Sequence, residues 1–415
     1  MPSERINGLA AVLDAVRTHR GVTQPRLVEQ VGLGRSVVAQ RVAELEAAGL
    51  IEGDGLDPSS GGRAPRRLRL RSGNGVVLGV DVAVTELVVG LADLAGGILA
   101  KRQRHIDVAD GPERVLATAE AVADELIATV AGDRPVWAIG VGLPGPVEFR
   151  TGLPVAPPIM PGWDGYPVRG RLAARFRAPV WVDNDVNLMA LGELRSDPAA
   201  AAAGHLLYVR AGIGIGAAIV MDGRLYRGAK GSAGDIGHVA IPEGGDAVCR
   251  CGNLGCLEAA AGGLALAREG RLLAETGLSP VLAGILAESG TILPFDVTTA
   301  AEKGDRAARA LLQRTSTLLG GTLATLVSFY NPDVLILGGG IVRAKAHVLA
   351  TIREVIYRRA LPLATRDLRI DASSVPEELS GVTGAVHLAL DEVFAPGSLE
   401  DWLAAGSPSG RPPAA

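Results

Sequence analysis

All three cysteines of this 415-residue chain fall within ten residues, CRCGNLGCLE at 249–258. Cys249, Cys251 and Cys256 sit in a short segment punctuated by glycine, so the chain must turn tightly there and bring sulfur to one point. A tetrahedral metal takes four ligands, and this segment supplies three. Just upstream, in GDIGH, His238 is the only histidine near the cysteines and completes the set. Thiolates with one imidazole suit Zn²⁺, and four protein ligands leave no position open for water. The expected ion is therefore structural. The alternative is three unligated core cysteines.

Two observations bear on the compartment. No apolar run is long enough to span a bilayer, because the best candidate, HLLYVRAGIGIGAAIVM, is broken by Arg210 and several glycines. The N-terminus has helical rather than signal-like apolar spacing. A cytoplasmic protein with no membrane partner is expected, and in a reducing compartment clustered cysteines favour metal over disulfide.

Net charge is −4 overall but unevenly spread. Residues 1–71 hold 11 Arg, no Lys and 8 acidic residues, a net +3. That argues against a wholesale polyanion binder and for one basic module. Its pattern predicts helices over about Ile6–His19, from Thr23 to Val31, and over about Arg35–Ala48, followed by a two-stranded hairpin. This is the order of a winged helix-turn-helix, here bounded at 1–71.

Residues 72–75 read as a linker. From 76 on, apolar strands alternate with Ala-rich helices, and the strand-rich start recurs in the second half. Two α/β lobes around a cleft are expected, with boundaries at 76–190 and 191–395 and the C-terminal helix returning to the first lobe. The Pro/Gly/Ser-rich end, 396–415, is expected to be disordered.

In a winged helix the third helix can enter the major groove. Its candidate contacts are Arg35, Ser36 and Gln40, with Arg41 one turn on; Arg and Gln can pair bidentately with guanine and adenine. In the wing, Arg63 suits a minor groove, and Arg66 and Arg67 suit phosphates. The alternative use of such a module is protein interaction.

The motif Gly234–His238 followed by CRCGNLGCLE resembles the signature of the ROK family, which groups sugar-responsive repressors and sugar kinases. The resemblance spans roughly residues 6–395, and the N-terminal module is similar to the repressor branch. It implies a two-lobed, actin-like ATPase (ribonuclease H-like) fold. It also implies a sugar site: the Asn-Asp pair falls on Asn184 and Asp185, with Asp235, His238 and Glu258 as further contacts and the loop from Gly142 to Pro146 as the pocket floor. Asp235 stands where the family has Glu, shorter by one methylene. Carboxylates and amides suit this task because they bond hydroxyls directionally.

In the kinases of that family Asp185 would be the general base. Here the phosphate turns depart from the family pattern. Asp81-Val82-Ala83-Val84-Thr85 lacks both glycines of D-x-G-G-T, and Arg210 replaces the first glycine of G-T-G. Gly338-Gly339-Gly340 alone keeps its glycines. Phosphoryl transfer depends on positioning and charge stabilisation, so the expected function is a non-enzymatic, sugar-responsive repressor of carbohydrate metabolism genes. Its partners would be operator DNA and a monosaccharide or sugar-derivative effector, with the chain acting as a homodimer or dimer of dimers. The alternatives are an ATP-dependent sugar kinase with an appended DNA-binding domain, a sugar-dependent activator, and a regulator whose effector is a phosphotransferase protein.

Overall fold

The structure, a computed structural model, describes residues 3–19, 21–57, 64–343 and 345–410. The chain opens with helices Glu4–Thr18, Gln24–Val31 and Arg35–Ala47. Strands Ile51–Leu56 and Arg66–Leu70 pair antiparallel. A third strand, Val22–Thr23, joins them against Leu68 and Arg67, so the sheet has three strands rather than the expected two. Two residues carry no periodicity, which is why the sequence does not reveal that strand.

Two five-stranded sheets follow, and they share one topology. In the first, Val76–Val82, Glu86–Asp93 and Ile98–His105 form an antiparallel meander. Val136–Leu143 and then Val180–Asn184 add in parallel on the free side of the first strand. In the second, Leu206–Ala211, Ile215–Met221 and Arg224–Tyr226 form the meander, and Val334–Gly338 and Arg369–Ala372 add in parallel. The stretch from 205 to 228 therefore gives three strands. Strands Val136–Leu143 and Val334–Gly338 are buried along almost their whole length, as the apolar runs VWAIGVGL and DVLIL require.

Helix Glu377–Val393 lies against the first sheet and against helix Asp185–Ser196. The contact is backbone to backbone. A Cβ on Gly384 would stand 1.8 Å or less from its neighbour, at 1.7 Å from the Leu188 carbonyl oxygen, and one on Gly192 would stand 2.4 Å from that of Ser380. Only glycine permits this approach, so the two helices are locked in register.

The N-terminal unit does not stand apart. Leu9, Leu13, Val16, Leu50 and Leu68 belong to one apolar cluster with Trp137, Val386, Leu390, Phe394 and Trp402. The linker candidate is a short helical turn, Ser72–Asn74, tied by Leu94 N–H to the Ser72 carbonyl and by Asn74 Nδ2 to the Gly49 carbonyl. The expected disorder over 396–415 is corrected through residue 410. Helix Pro396–Trp402 buries Leu399 and Trp402 in that cluster, and Trp402 Nε1 donates to the Val393 carbonyl at 2.9 Å. Ser409 Oγ further donates to the Val136 carbonyl. Composition suggested a tail, but two large apolar side chains outweigh it. Residues 411–415 lie outside the described residues. Among the described residues no helix is long and apolar enough to cross a membrane.

Candidate functional site

A cleft lies between the lobes, with about 860 Å³ of empty space, open solvent included. The first lobe contributes Val84, Pro144–Pro146 and the head of helix Asp185–Ser196; the second contributes Arg210, Gly214–Ala217, the loop Gly231–Asp235, His238 and Glu258. Five of the six sequence-derived sugar candidates, Asn184, Asp185, Asp235, His238 and Glu258, thus meet in one cavity.

Gly142 does not line it. It lies within strand Val136–Leu143, paired with Asp81 and Asp183, and a Cβ there would meet Leu188 at 2.8 Å and Asp81 at 3.2 Å. Its role is to admit the close packing beneath the cleft, while the floor begins at Pro144.

Asn184 caps the helix. Its Oδ1 accepts from Val186 N–H at 2.9 Å, and its Nδ2 donates to the Gly145 carbonyl at 3.1 Å. The cap fixes Asp185 as the first helical residue, facing the cavity. Asp185 is buried, and its Oδ2 accepts from Arg210 Nη1 at 3.1 Å. Burial raises its carboxyl above the ordinary range, with Arg210 and the Val186 N–H opposing. Behind it, Asp81 is pushed up to about 7 by burial and then by the Asp185 charge. Arg210, its side chain 15% exposed, stays charged with Asp185, Glu377 and Asp81 around it.

Glu258 sits in the first turn of the short helix Leu257–Ala261, and its Oε2 accepts from Ile215 N–H at 2.9 Å. It clips the 212–215 turn to the cysteine segment. Asp235 is about half exposed, with Oδ1 3.9 Å from His238 Nε2. Asn187 is a lining residue that sequence reasoning missed. It is 2% exposed, its Nδ2 donates to Asp183 Oδ1 at 2.8 Å, and its Oδ1 has no hydrogen-bond partner. The signal was available: Asn187 stands three residues after Asn184, on the same side of the helix start.

The metal candidates also converge. The ligand atoms of His238, Cys249, Cys251 and Cys256 all lie within 4.8 Å of one another, so the four could hold a metal ion. His238 Nδ1 is 3.4 Å from Cys249 Sγ, and Cys251 Sγ is 3.7 Å from Cys256 Sγ. The local fold makes this possible. Cys249 N–H bonds the Asn253 carbonyl, and Ala240 bridges Cys256, bringing two loops side by side. Burial pushes the Cys256 thiol up to about 12, whereas the Asn253 N–H lowers that of Cys251. A donor set of three sulfurs and one nitrogen fits a cation that displaces thiol protons on binding.

On the N-terminal unit, Arg35, Ser36 and Gln40 are exposed on the first turns of helix Arg35–Ala47. Arg41 is instead mostly buried and paired with Glu44 at 2.6 Å. Arg66 pairs with Glu46 at 2.8 Å, and Arg67 donates twice to the Asp54 carbonyl. Arg41 and Arg67 therefore brace the unit. Arg63 lies outside the described residues. Arg26, on helix Gln24–Val31, is exposed and has no ion-pair partner among the described residues, and sequence reasoning did not single it out.

The sequence profile of the ROK family matches residues 77–392. A putative xylose repressor of Caldicellulosiruptor sp. (strain Rt8B.4) is 30% identical over 94% of this chain and 97% of its own length. A glucokinase of Thermotoga maritima is 31% identical over 76% of this chain and 98% of its own. Among solved structures, a ROK family transcriptional regulator, homolog of the E. coli MLC protein, superposes with a TM-score of 0.81 over 96% of this chain and 98% of that one, at 24% identity.

Proposed function

The chain belongs to the ROK family and has its mixed α/β actin-like fold, and from that premise we propose that it is a sugar-responsive transcriptional repressor of carbohydrate metabolism genes. Residues 1–71 form a winged helix-turn-helix that binds operator DNA, 72–75 the connection, and 76–395 the two lobes of a sensor. The observation that carries this reading is the exposed first turn of helix Arg35–Ala47. It presents Arg35, Ser36 and Gln40 from a unit whose apolar core is continuous with the lobe that lines the cleft. Arg35 and Gln40 read base edges. Arg66 and Arg26 take phosphates.

The effector is an uncharged sugar. Among the described lining residues the one arginine or lysine is Arg210, and it is engaged by Asp185, so a sugar phosphate has no free cation to meet. Asn184, Asp185, Asn187, Asp235 and Glu258 take hydroxyls, Asn187 through its unpartnered oxygen. His238, Cys249, Cys251 and Cys256 hold Zn²⁺ as a structural ion, fastening the loop of Asp235 to the helix of Glu258. Sugar binding releases the operator to the extent that the two conformations differ in DNA affinity.

The same reading makes the chain no enzyme. Arg210 neutralises the carboxylate that a kinase would use as base; the turn at 81–85 lacks both of the glycines that let backbone N–H groups approach phosphates, and that at 210–212 lacks the first. The glucokinase relative keeps a sugar kinase as the competing reading.

The test is a thermal-shift screen of free sugars, then of their 6-phosphates, followed by DNA binding with and without the stabilising sugar. A free sugar that raises Tm and weakens DNA binding is expected. Sugar-dependent ADP release from ATP that disappears in Asp185→Asn would establish the kinase instead.

A further inference from the structure

We infer that Asp391 is a positioning residue through which the ligand cleft reports to the DNA-binding unit, because one carboxylate is shared by arginines from each of them. The inference rests on the repressor reading above and names the link inside it.

Asp391 lies in the last turn of helix Glu377–Val393. Its Oδ2 accepts from Arg195 Nη2 at 2.7 Å, and its Oδ1 accepts from Arg17 Nη2. Arg195 is in the last turn of helix Asp185–Ser196, whose head lines the cleft. Arg17 is in the last turn of helix Glu4–Thr18 of the N-terminal unit, and its side chain is only 6% exposed. Each oxygen thus serves a different element, and the carboxylate stands between them.

Arg195 stands ten residues after Asp185 on the cleft helix, so the helix carries roughly 15 Å from the ligand to Arg195. It is locked to Glu377–Val393 by the glycine contacts at 188/384 and 192/380. A displacement at Asp185 is therefore delivered at Arg195 rather than absorbed by bending. Around Asp391 the remaining contact with the N-terminal helices is apolar: Val386, Ala389, Leu390 and Val393 face that cluster. Apolar contact is non-directional and tolerates sliding. Charge-assisted hydrogen bonds do not, because their donors must stay within a few tenths of an ångström of the preferred distance. With the Asn74 Nδ2 bond to the Gly49 carbonyl at the connection, the shared carboxylate gives direction to an otherwise apolar seam. Although burial alone would raise it, Arg17 and Arg195 hold the Asp391 carboxyl below its ordinary range.

The experiment uses full-length protein, a duplex selected from a random library with the wild type, and D-xylose, D-glucose and N-acetyl-D-glucosamine as probes. The variants are Asp391→Asn and Arg195→Gln; the second leaves the Arg17–Asp391 bond in place and keeps the test decisive if the first fails to fold. Both should bind the active sugar by calorimetry within about twofold of wild type. The factor by which saturating sugar weakens duplex binding should fall to within about twofold of 1, from the 5- to 150-fold range typical of such coupling, and Arg195→Lys should restore part of it. An unchanged factor in a folded variant, or lost sugar affinity in Arg195→Gln, overturns the assignment of Asp391. A wild type that binds the duplex and responds to none of the three sugars overturns the repressor reading itself.

Discussion

Arg210 and Asp185 face each other across the cleft from different lobes, 3.1 Å apart, with side chains 15% and 4% exposed. Removing one member of such a pair strands the other charge. Arg210→Ala should destabilise the protein by about 3–5 kcal/mol, and the double variant with Asp185→Asn should recover part of that loss. Urea denaturation of the two variants checks both. Asp185→Asn alone should keep duplex binding and lose the sugar response.

Asp81 gives a pH dependence of definite sign. Its carboxyl is pushed up to about 7 in the fold, first by burial and then by Asp185. The folded state therefore holds this proton more tightly than the unfolded chain does. The stability it contributes is present below the ordinary carboxylate pKa of about 4 and is lost as pH rises to about 7. Asp81→Asn should raise Tm relative to wild type at pH 8, with the difference shrinking toward pH 5. Paired melts across that range measure it.

Cys251→Ser should abolish metal binding by the His238–cysteine cluster and with it the sugar-induced rise in Tm, because the loops bearing Asp235 and Glu258 would lack a common anchor. Elemental analysis beside the thermal shift reads both. A metal-free variant that still binds sugar with wild-type affinity would separate the metal from the pocket.

Gly384→Ala tests the weld between the two helices. The added Cβ would fall 1.7 Å from the Leu188 carbonyl oxygen. Backbone must move, so the cost should reach or exceed the upper end of ordinary overpacking, about 3 kcal/mol. Denaturant midpoints report it, and the neighbouring exposed Glu378→Ala serves as control.

Much of this was legible beforehand. The C-x-C-x₄-C spacing, a local pattern, located the metal candidates, and the family resemblance placed the Asn-Asp pair that heads the cleft helix. What was missed depends on distant partners. Gly142 looked like a floor residue because it opens a glycine-proline loop, but the strand continues through Leu143 and buries it. Arg67 looked free because its acceptor, the Asp54 carbonyl, is fixed only by folding, whereas the Arg41–Glu44 pair, three residues apart on one helix, was open to a local reading. The tail looked disordered because Trp402 has no visible destination until the Trp137 and Phe394 rings are in place. Asp391 carries no motif at all; its significance comes from two arginines 374 and 196 residues away.

The apolar cluster that joins Leu9 and Leu13 to Trp137 and Trp402 also bears on how such a chain can be re-engineered. A DNA reader on a loose tether can be exchanged like a cassette. Here a cut at residue 75 would leave the large rings of the sensor without their cover and the reader without half of its interior. Grafting this specificity onto another sensor would mean carrying Trp137, Phe394 and the whole C-terminal helix with it.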